Sequence, residues 1–244
     1  MILKRNIMTI MNKTINDIGY KAGLRDFFRS LKLEKRNELM DSVLSERTRY
    51  ITVALENIYQ PHNASAVLRS CDCFGIQDVH IIENSYQYEL NPHVSLGAAQ
   101  WLNLHRYDKL ENNTPECIAK LKNDGYRIVA TTPDAKAIDI HDFDVSKGKF
   151  ALFFGTEKFG LTPEACEMAD EFIRIPMYGF TESFNISVSV SLCLFHFTSE
   201  IRSVETDWRL TEEEKLEIYL QWFRNTTTNS EMIERKFYQD YLAK

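Results

Sequence analysis

The chain has 244 residues and lacks most of the signatures that would assign it at a glance. Its five cysteines, Cys71, Cys73, Cys117, Cys166 and Cys193, form an odd set without a CxxC pair, which excludes a disulfide framework. The closely spaced Cys71 and Cys73 read as reduced thiols, and no chemistry is assigned to them. The six histidines show no HxxxH spacing, so no metal is expected. No apolar run reaches about 18 residues, so no membrane span or membrane partner is expected. The N-terminal MILKRNIMTIMNK has neither a continuous apolar segment nor a cleavage site and does not read as a signal peptide. That points to the cytoplasm. Internal repeats, low-complexity segments and a glycine-rich phosphate loop are also missing.

What is present is an uneven charge. Eleven Lys and Arg face six Asp and Glu in residues 1–49 (net +5), twelve face twenty in 50–204 (net −8), and six face nine in 205–244 (net −3). Residues 14–49 carry Leu24, Phe27, Phe28, Leu31, Leu39, Val43 and Leu44 at helical spacing, interleaved with Lys21, Arg25, Arg29, Lys32, Lys35 and Arg36. One or two amphipathic helices with a basic face are predicted there, the first place a polyanion would touch.

Downstream, strands alternate with short helices. Strands are predicted at 50–56, 78–82, 101–107, 127–131, 150–154 and 171–175, and helices from Asn63 as N-cap to Cys73, at 115–124 and at 162–169. An irregular stretch spans 83–100. This alternation implies an α/β domain with a mainly parallel sheet, whose ligand loops lie beyond the carboxyl ends of the strands. Three segments are predicted overall: a basic helical arm at 1–49, the α/β domain at 50–204, and a helical extension at 205–244. The extension reads as two helices, 211–223 and 230–242, the first opening with a Thr211/Glu214 capping box. Residues 186–194 (ISVSVSLCL) alternate apolar with small polar residues, a strand period. Their length through Ile201 and the Asn185 cap favour a helix, and the residues alone leave both open.

Three stretches that follow predicted strands stand out: NIYQPHNASAVLRSCDCFG at 57–75, GTEKFGL at 155–161, and IPMYGFTESFNISV at 175–188. Taken singly, each residue has an ordinary structural role. Asn63, Ser183 and Asn185 would cap helices, Arg69 would pair with Asp72 or another acid, Glu157 would occupy an exposed turn, and Pro176 and Gly179 would punctuate a loop.

In combination they read NxxxxxR, GxExxGL and IPMxGxxxSxNxSV, and so resemble the three motifs of the SpoU/TrmH family of RNA ribose 2′-O-methyltransferases, within the SPOUT superfamily. The resemblance covers about residues 40–204. Its first stretch looks most like that of the tRNA guanosine-18 enzymes. Phe184 stands where Leu is usual, Ile186 where Val is usual and Ser70 where Thr is common, and Ala98-Ala99 replaces a Gly-Ser-like run before Trp101.

The resemblance implies the SPOUT α/β-knot, a parallel sheet flanked by helices with a deep C-terminal trefoil knot, in place of the unthreaded sheet that connection rules favour. In that fold 186–201 is a helix whose small residues allow close packing. The resemblance also implies S-adenosylmethionine as methyl donor, held at Thr131, Thr132, Gly155, Ile175, Met177 and Phe184. Arg69 matches the catalytic arginine, with Asn63, Glu157, Ser183 and Asn185 shaping the active site. A homodimer and a tRNA substrate are implied, with another tRNA ribose or a ribosomal RNA ribose as the alternative. Arginine stays protonated, so Arg69 reads as binding phosphate and stabilising a developing alkoxide; a role in accepting the proton stays open. A non-catalytic RNA-binding factor with the same fold is the competing class.

Overall fold

A computed structural model describes residues 17–85 and 97–243 of the chain. The N-terminal MILKRNIMTIMNK and most of the irregular stretch at 83–100 lie outside the described residues. The chain divides into two compact units. Residues 48–209 form one, and the helices before and after them form the other.

The larger unit is built on β1 (Ile51–Glu56), β2 (Asp78–Ile82), β3 (Asn103–Tyr107), β4 (Arg127–Thr131), β5 (Ile138–Asp139), β6 (Phe150–Phe154) and β7 (Glu171–Arg174). They make one sheet in the order β3-β2-β1-β6-β4-β7-β5, with every pair parallel. Because both faces are covered, β1, β2 and β6 are buried at every position, and β6 is apolar throughout while β1 and β2 also bury Thr52, Glu56, Asp78 and His80. On one face Val53, Leu55, Val129 and Leu152 pack in a core with Val67, Leu68 and Cys71 of α3 (Pro61–Cys73) and Val190, Leu194 and Phe197 of α6 (Ile186–Ser203). On the other, Ala54, Ile128, Ala151 and Phe153 meet Cys117, Ile118 and Leu121 of α4 (Thr114–Asn123). The short α5 (Pro163–Met168) follows β6 and is capped by Thr162.

The 186–201 segment is a helix. Ile186, Val190, Cys193, Leu194, Phe197 and Ile201 are buried at helical spacing. The alternating apolar set is split between two faces: Val188 and Leu192 point outward, 43% and 39% exposed. Small side chains bring α6 against α3, where the Ser70 and Ser191 hydroxyls lie 2.8 Å apart. Ser191 also donates to the Ser187 carbonyl one turn back, 2.7 Å away.

Two expectations change, and one short strand is added. Helix α3 begins at Pro61, with Gln60 as its N-cap, so Asn63 lies inside the first turn and is not the cap; proline at the first helical position starts the helix earlier. Strand β3 begins at Asn103, because Ala98–Trp101 form a 3-10 turn after Gly97, whose φ is +80°. The two-residue β5 was too short to leave a period.

The second unit consists of α1 (Ile18–Ser30), α2 (Glu34–Ser45), α7 (Glu212–Thr226) and α8 (Ser230–Leu242). Thus the arm and the extension, separate in the sequence reading, belong to one compact unit. Phe28 stacks on Phe223 at 4.7 Å, and the Arg47 guanidinium lies over the Trp222 ring at 5.3 Å. The Thr211/Glu214 capping box forms. The basic face is in large part neutralised. Lys21 pairs with Glu217, Arg25 with Asp26 and Arg29 with Asp41, at 2.9, 2.8 and 2.7 Å, and Lys32 lies over Phe223.

Candidate active site

The site forms at the carboxyl ends of β1, β4, β6 and β7. Glu56, the last residue of β1, is buried and accepts hydrogen bonds from the N–H and hydroxyl of Thr162, both at 2.8 Å, and from the Thr114 hydroxyl. It ties the segment after β6 to the end of β1. Asn57 then turns the chain with φ +56°, a conformation asparagine tolerates better than most side chains. Its side-chain oxygen accepts from the N–H groups of Asn84 and Ser85, each at 2.9 Å. The loop so pinned delivers Pro61 to the start of α3.

One turn in, Asn63 is 4% exposed and is the meeting point of all three sequence stretches. Its amide donates to Gln60 Oε1 at 2.8 Å and to Oε1 of Glu157. Its oxygen accepts from the amide of Asn185 at 3.2 Å. Asn185 caps α6 at the same time, its oxygen accepting from the Ser187 N–H at 2.9 Å and hydroxyl at 2.7 Å. The second carboxylate oxygen of Glu157 is buried with no hydrogen-bond partner among the described residues. A buried acceptor left open in this way favours a donor arriving from a ligand.

Glu157 belongs to a tight loop. Thr156 and Gly160 exchange backbone hydrogen bonds of 3.0 and 2.9 Å, and Gly160 has φ +69°. A Cβ on Gly155 would lie 2.0 Å from the Gly160 carbonyl carbon, so only glycine lets the loop fold back on itself here.

Between this loop, the end of β4 and the chain that follows β7 lies a cleft of about 410 Å³, within the usual range for small-ligand sites. Thr131, Thr132, Gly155, Ile175, Met177 and Phe184 all border it, as do Glu157 and Ser183. Its walls include Phe154, Ile173 and Phe184, apolar surface suited to a flat heterocycle, and its size and open acceptor fit a nucleoside-bearing methyl donor. Cys193 also lines it, but burial pushes this thiol up to about 12, which leaves it protonated and unreactive.

Arg69 is placed apart. It lies six residues beyond Asn63 on α3, roughly 240° further around the helix axis, and is exposed without a hydrogen bond or ion pair among the described residues. Ser183 is likewise exposed. The pairing of Arg69 with Asp72 and the capping role of Asn63 therefore do not occur, whereas Asn185 both caps a helix and joins the cluster. Sequence reading missed two members of the site. Glu56, a charge closing the apolar run YITVALE, and Arg174, a cation beside the IPM stretch that borders the cleft, were both visible as charges at strand ends.

Comparison with known proteins gives the same assignment from several directions. The chain is 40% identical over 201 residues to a Borreliella burgdorferi protein named tRNA (guanosine(18)-2′-O)-methyltransferase, covering 82% of this chain and 90% of that protein. A Thermus thermophilus protein of the same name is 35% identical over 67% of this chain and 82% of its own length. Among solved structures, the A. aeolicus TrmH/SpoU tRNA modifying enzyme superposes with a TM-score of 0.69 at 27% identity, over 80% of this chain and 98% of that one. Residues 50–195, which contain β1, the Asn63–Glu157–Asn185 cluster and the cleft, match the SpoU rRNA Methylase family, and the chain belongs to it.

Proposed function

We propose that the chain transfers a methyl group from S-adenosylmethionine to the ribose 2′-hydroxyl of guanosine 18 in the tRNA D-loop. The observation that carries this reading is the hydrogen-bonded junction of Asn63, Glu157 and Asn185 beside the 410 Å³ cleft. The names of the Borreliella and Thermus relatives support the choice of RNA.

In this reading the donor supplies an electrophilic methyl group and needs no metal. Main-chain groups at Thr131, Thr132, Gly155, Ile175 and Met177 hold it, with Phe184 against its heterocycle. Asn63 and Asn185 fix Glu157, whose open oxygen receives a donor from the bound partner. Ser183 contacts the RNA at the cleft mouth. Arg69 binds the adjacent phosphate and stabilises negative charge growing on the 2′-oxygen. Rate acceleration then comes mainly from positioning and electrostatics.

Arg69 reaches a cleft most simply in a homodimer. The outward face of α6 exposes Val188, Leu192 and Phe195, the last at 67%, a stripe at helical spacing suited to a second copy. Helix α3, which carries Arg69, is joined to α6 through Ser70 and Ser191. A second copy on this face would bring each Arg69 toward the partner's cleft. The return of α6 onto α3 beneath the loops after β4, β6 and β7 is also the passage in which we read the trefoil knot. We place the chain in the cytoplasm with its RNA.

The test is transfer of labelled methyl from S-adenosylmethionine to an unmodified tRNA transcript, with ribose methylation mapped by position. Incorporation at guanosine 18 is expected, lost when that nucleotide is changed. Incorporation only into another tRNA ribose or ribosomal RNA would select the alternative substrate. Absence of donor binding would select a non-catalytic RNA-binding factor.

A further inference from the structure

Three aromatic side chains stand in solvent on two loops that border the cleft. Tyr178 and Phe180, between β7 and α6, are 97% and 108% exposed, and Phe159, in the loop after β6, is 73% exposed. Single exposed aromatics are unremarkable on a protein surface, but these rings come from the two segments that line one ligand cleft. Phe159, Met177 and Glu182 all border that cleft, so Tyr178 and Phe180 flank its wall. Neither of these two rings makes a ring contact or hydrogen bond among the described residues, whereas the Lys158 ammonium lies 5.0 Å from the centre of the Phe159 ring. Between Tyr178 and Phe180, Gly179 has no atom within 4 Å of where a Cβ would stand, so the segment projects away from the fold.

We infer that Tyr178, Phe180 and Phe159 form a stacking surface for unstacked nucleobases of the RNA beside the ribose presented to the cleft. This rests on the proposed methyl transfer for the location of the acceptor ribose. A ribose hydroxyl in a folded RNA reaches such a cleft only when its nucleotide or its neighbours leave their stack, and aromatic faces replace the contacts those bases lose. The ammonium at Phe159 adds a cation for the phosphate between stacked bases. The occupant is RNA and not a second copy because the aliphatic stripe of α6 offers a packed, regular face for self-association. Tyr178 and Phe180 instead stand singly beside the polar Thr181, Glu182 and Ser183, and Phe159 beside Lys158.

The test is equilibrium binding of an unmodified tRNA transcript to the full chain and to Tyr178→Ala, Phe180→Ala and Tyr178→Phe, over a series of salt concentrations. Each alanine variant is expected to weaken binding by about tenfold, with the dependence of log Kd on log salt unchanged because no charge is removed. Tyr178→Phe keeps a ring and should bind as wild type. S-adenosylmethionine affinity by calorimetry and mass by light scattering should not change. Unchanged RNA affinity in both alanine variants would overturn the inference, as would weakened binding that tracks loss of self-association or of donor affinity. A wild-type chain that fails to bind tRNA would overturn it too. A wild-type chain that binds tRNA through these rings yet transfers no methyl group would refute the proposed reaction and leave the stacking surface standing.

Discussion

Asn63 and Glu157 lie 94 residues apart in the chain and share a direct hydrogen bond from amide to carboxylate at the edge of the cleft. Truncating Asn63 to alanine leaves Glu157 Oε1 without this donor beside a buried Oε2 that has no partner among the described residues. A buried acceptor left open costs about 1–3 kcal/mol. Urea denaturation should show a loss of that size for Asn63→Ala, and a smaller loss when Glu157→Ala is already present. Equal losses in the two backgrounds would separate the residues energetically.

Arg69 is exposed and makes no hydrogen bond or ion pair among the described residues, so its removal should act mainly on the reaction. Arg69→Ala is expected to lower methyl transfer by about 100-fold or more, while its melting temperature stays at the wild-type value, as for an exposed surface side chain. Robust transfer by this variant would remove Arg69 from the site.

Self-association can be read from the same residue. Leu192→Asp places a charge in the outward stripe of α6 and should yield a monomer by light scattering, without transfer activity. Mixing Arg69→Ala with Ser183→Ala, each inactive alone, should restore about a quarter of wild-type activity if each site draws Arg69 from one copy and Ser183 from the other. No recovery would place both residues in one subunit's site.

Gly155→Ala forces the 155–161 loop open, because the new methyl meets backbone at 2.0 Å. Overpacking of this kind costs about 1–3 kcal/mol. Donor affinity by calorimetry should fall by about tenfold or more, with the far-ultraviolet circular dichroism retained.

Acid should destabilise the larger unit through one buried cluster. Burial, reinforced by the neighbouring His105, holds His80 down at about 3 against an ordinary 6.5. The unfolded chain therefore takes up this proton first, and stability falls as pH drops from about 6.5 toward 3. Burial would raise the Asp78 carboxyl, but the hydrogen bond from His105 and the Arg49 charge outweigh it and hold the group at about 2. Its contribution is lost at lower pH, from about 3.8 downward. Urea midpoints measured against pH should show the upper limb flattened in His80→Gln.

Much of this was legible in the residues. Strand β6 occupies its predicted position because a fully covered parallel strand writes an unbroken apolar run, and β4 because Ile128, Val129 and Ala130 form a buried centre; the three stretches that converge on Asn63 were identifiable by type and spacing. Other features depend on tertiary partners that spacing cannot express. The period-2 run of α6 arises because two helix faces are apolar for different reasons, one turned to the sheet and one turned outward. Asn63 looked like a cap because asparagine caps helices, but Pro61 had already started this one. The basic arm looked bare because Glu217, which pairs with Lys21, stands 196 residues away.

The bonds that join the three stretches all run one way. The Ser187 N–H donates to Asn185, Asn185 to Asn63, and Asn63 to Glu157, so each amide presents its oxygen toward α6 and its nitrogen toward the carboxylate. Turning over either amide would set nitrogen against nitrogen on one side and oxygen against oxygen on the other. The series therefore has a polarity, begun by a helix N-terminus and ended by an anion. A single aspartate at position 63 or 185 would interrupt it while leaving the shape of the side chain almost unchanged.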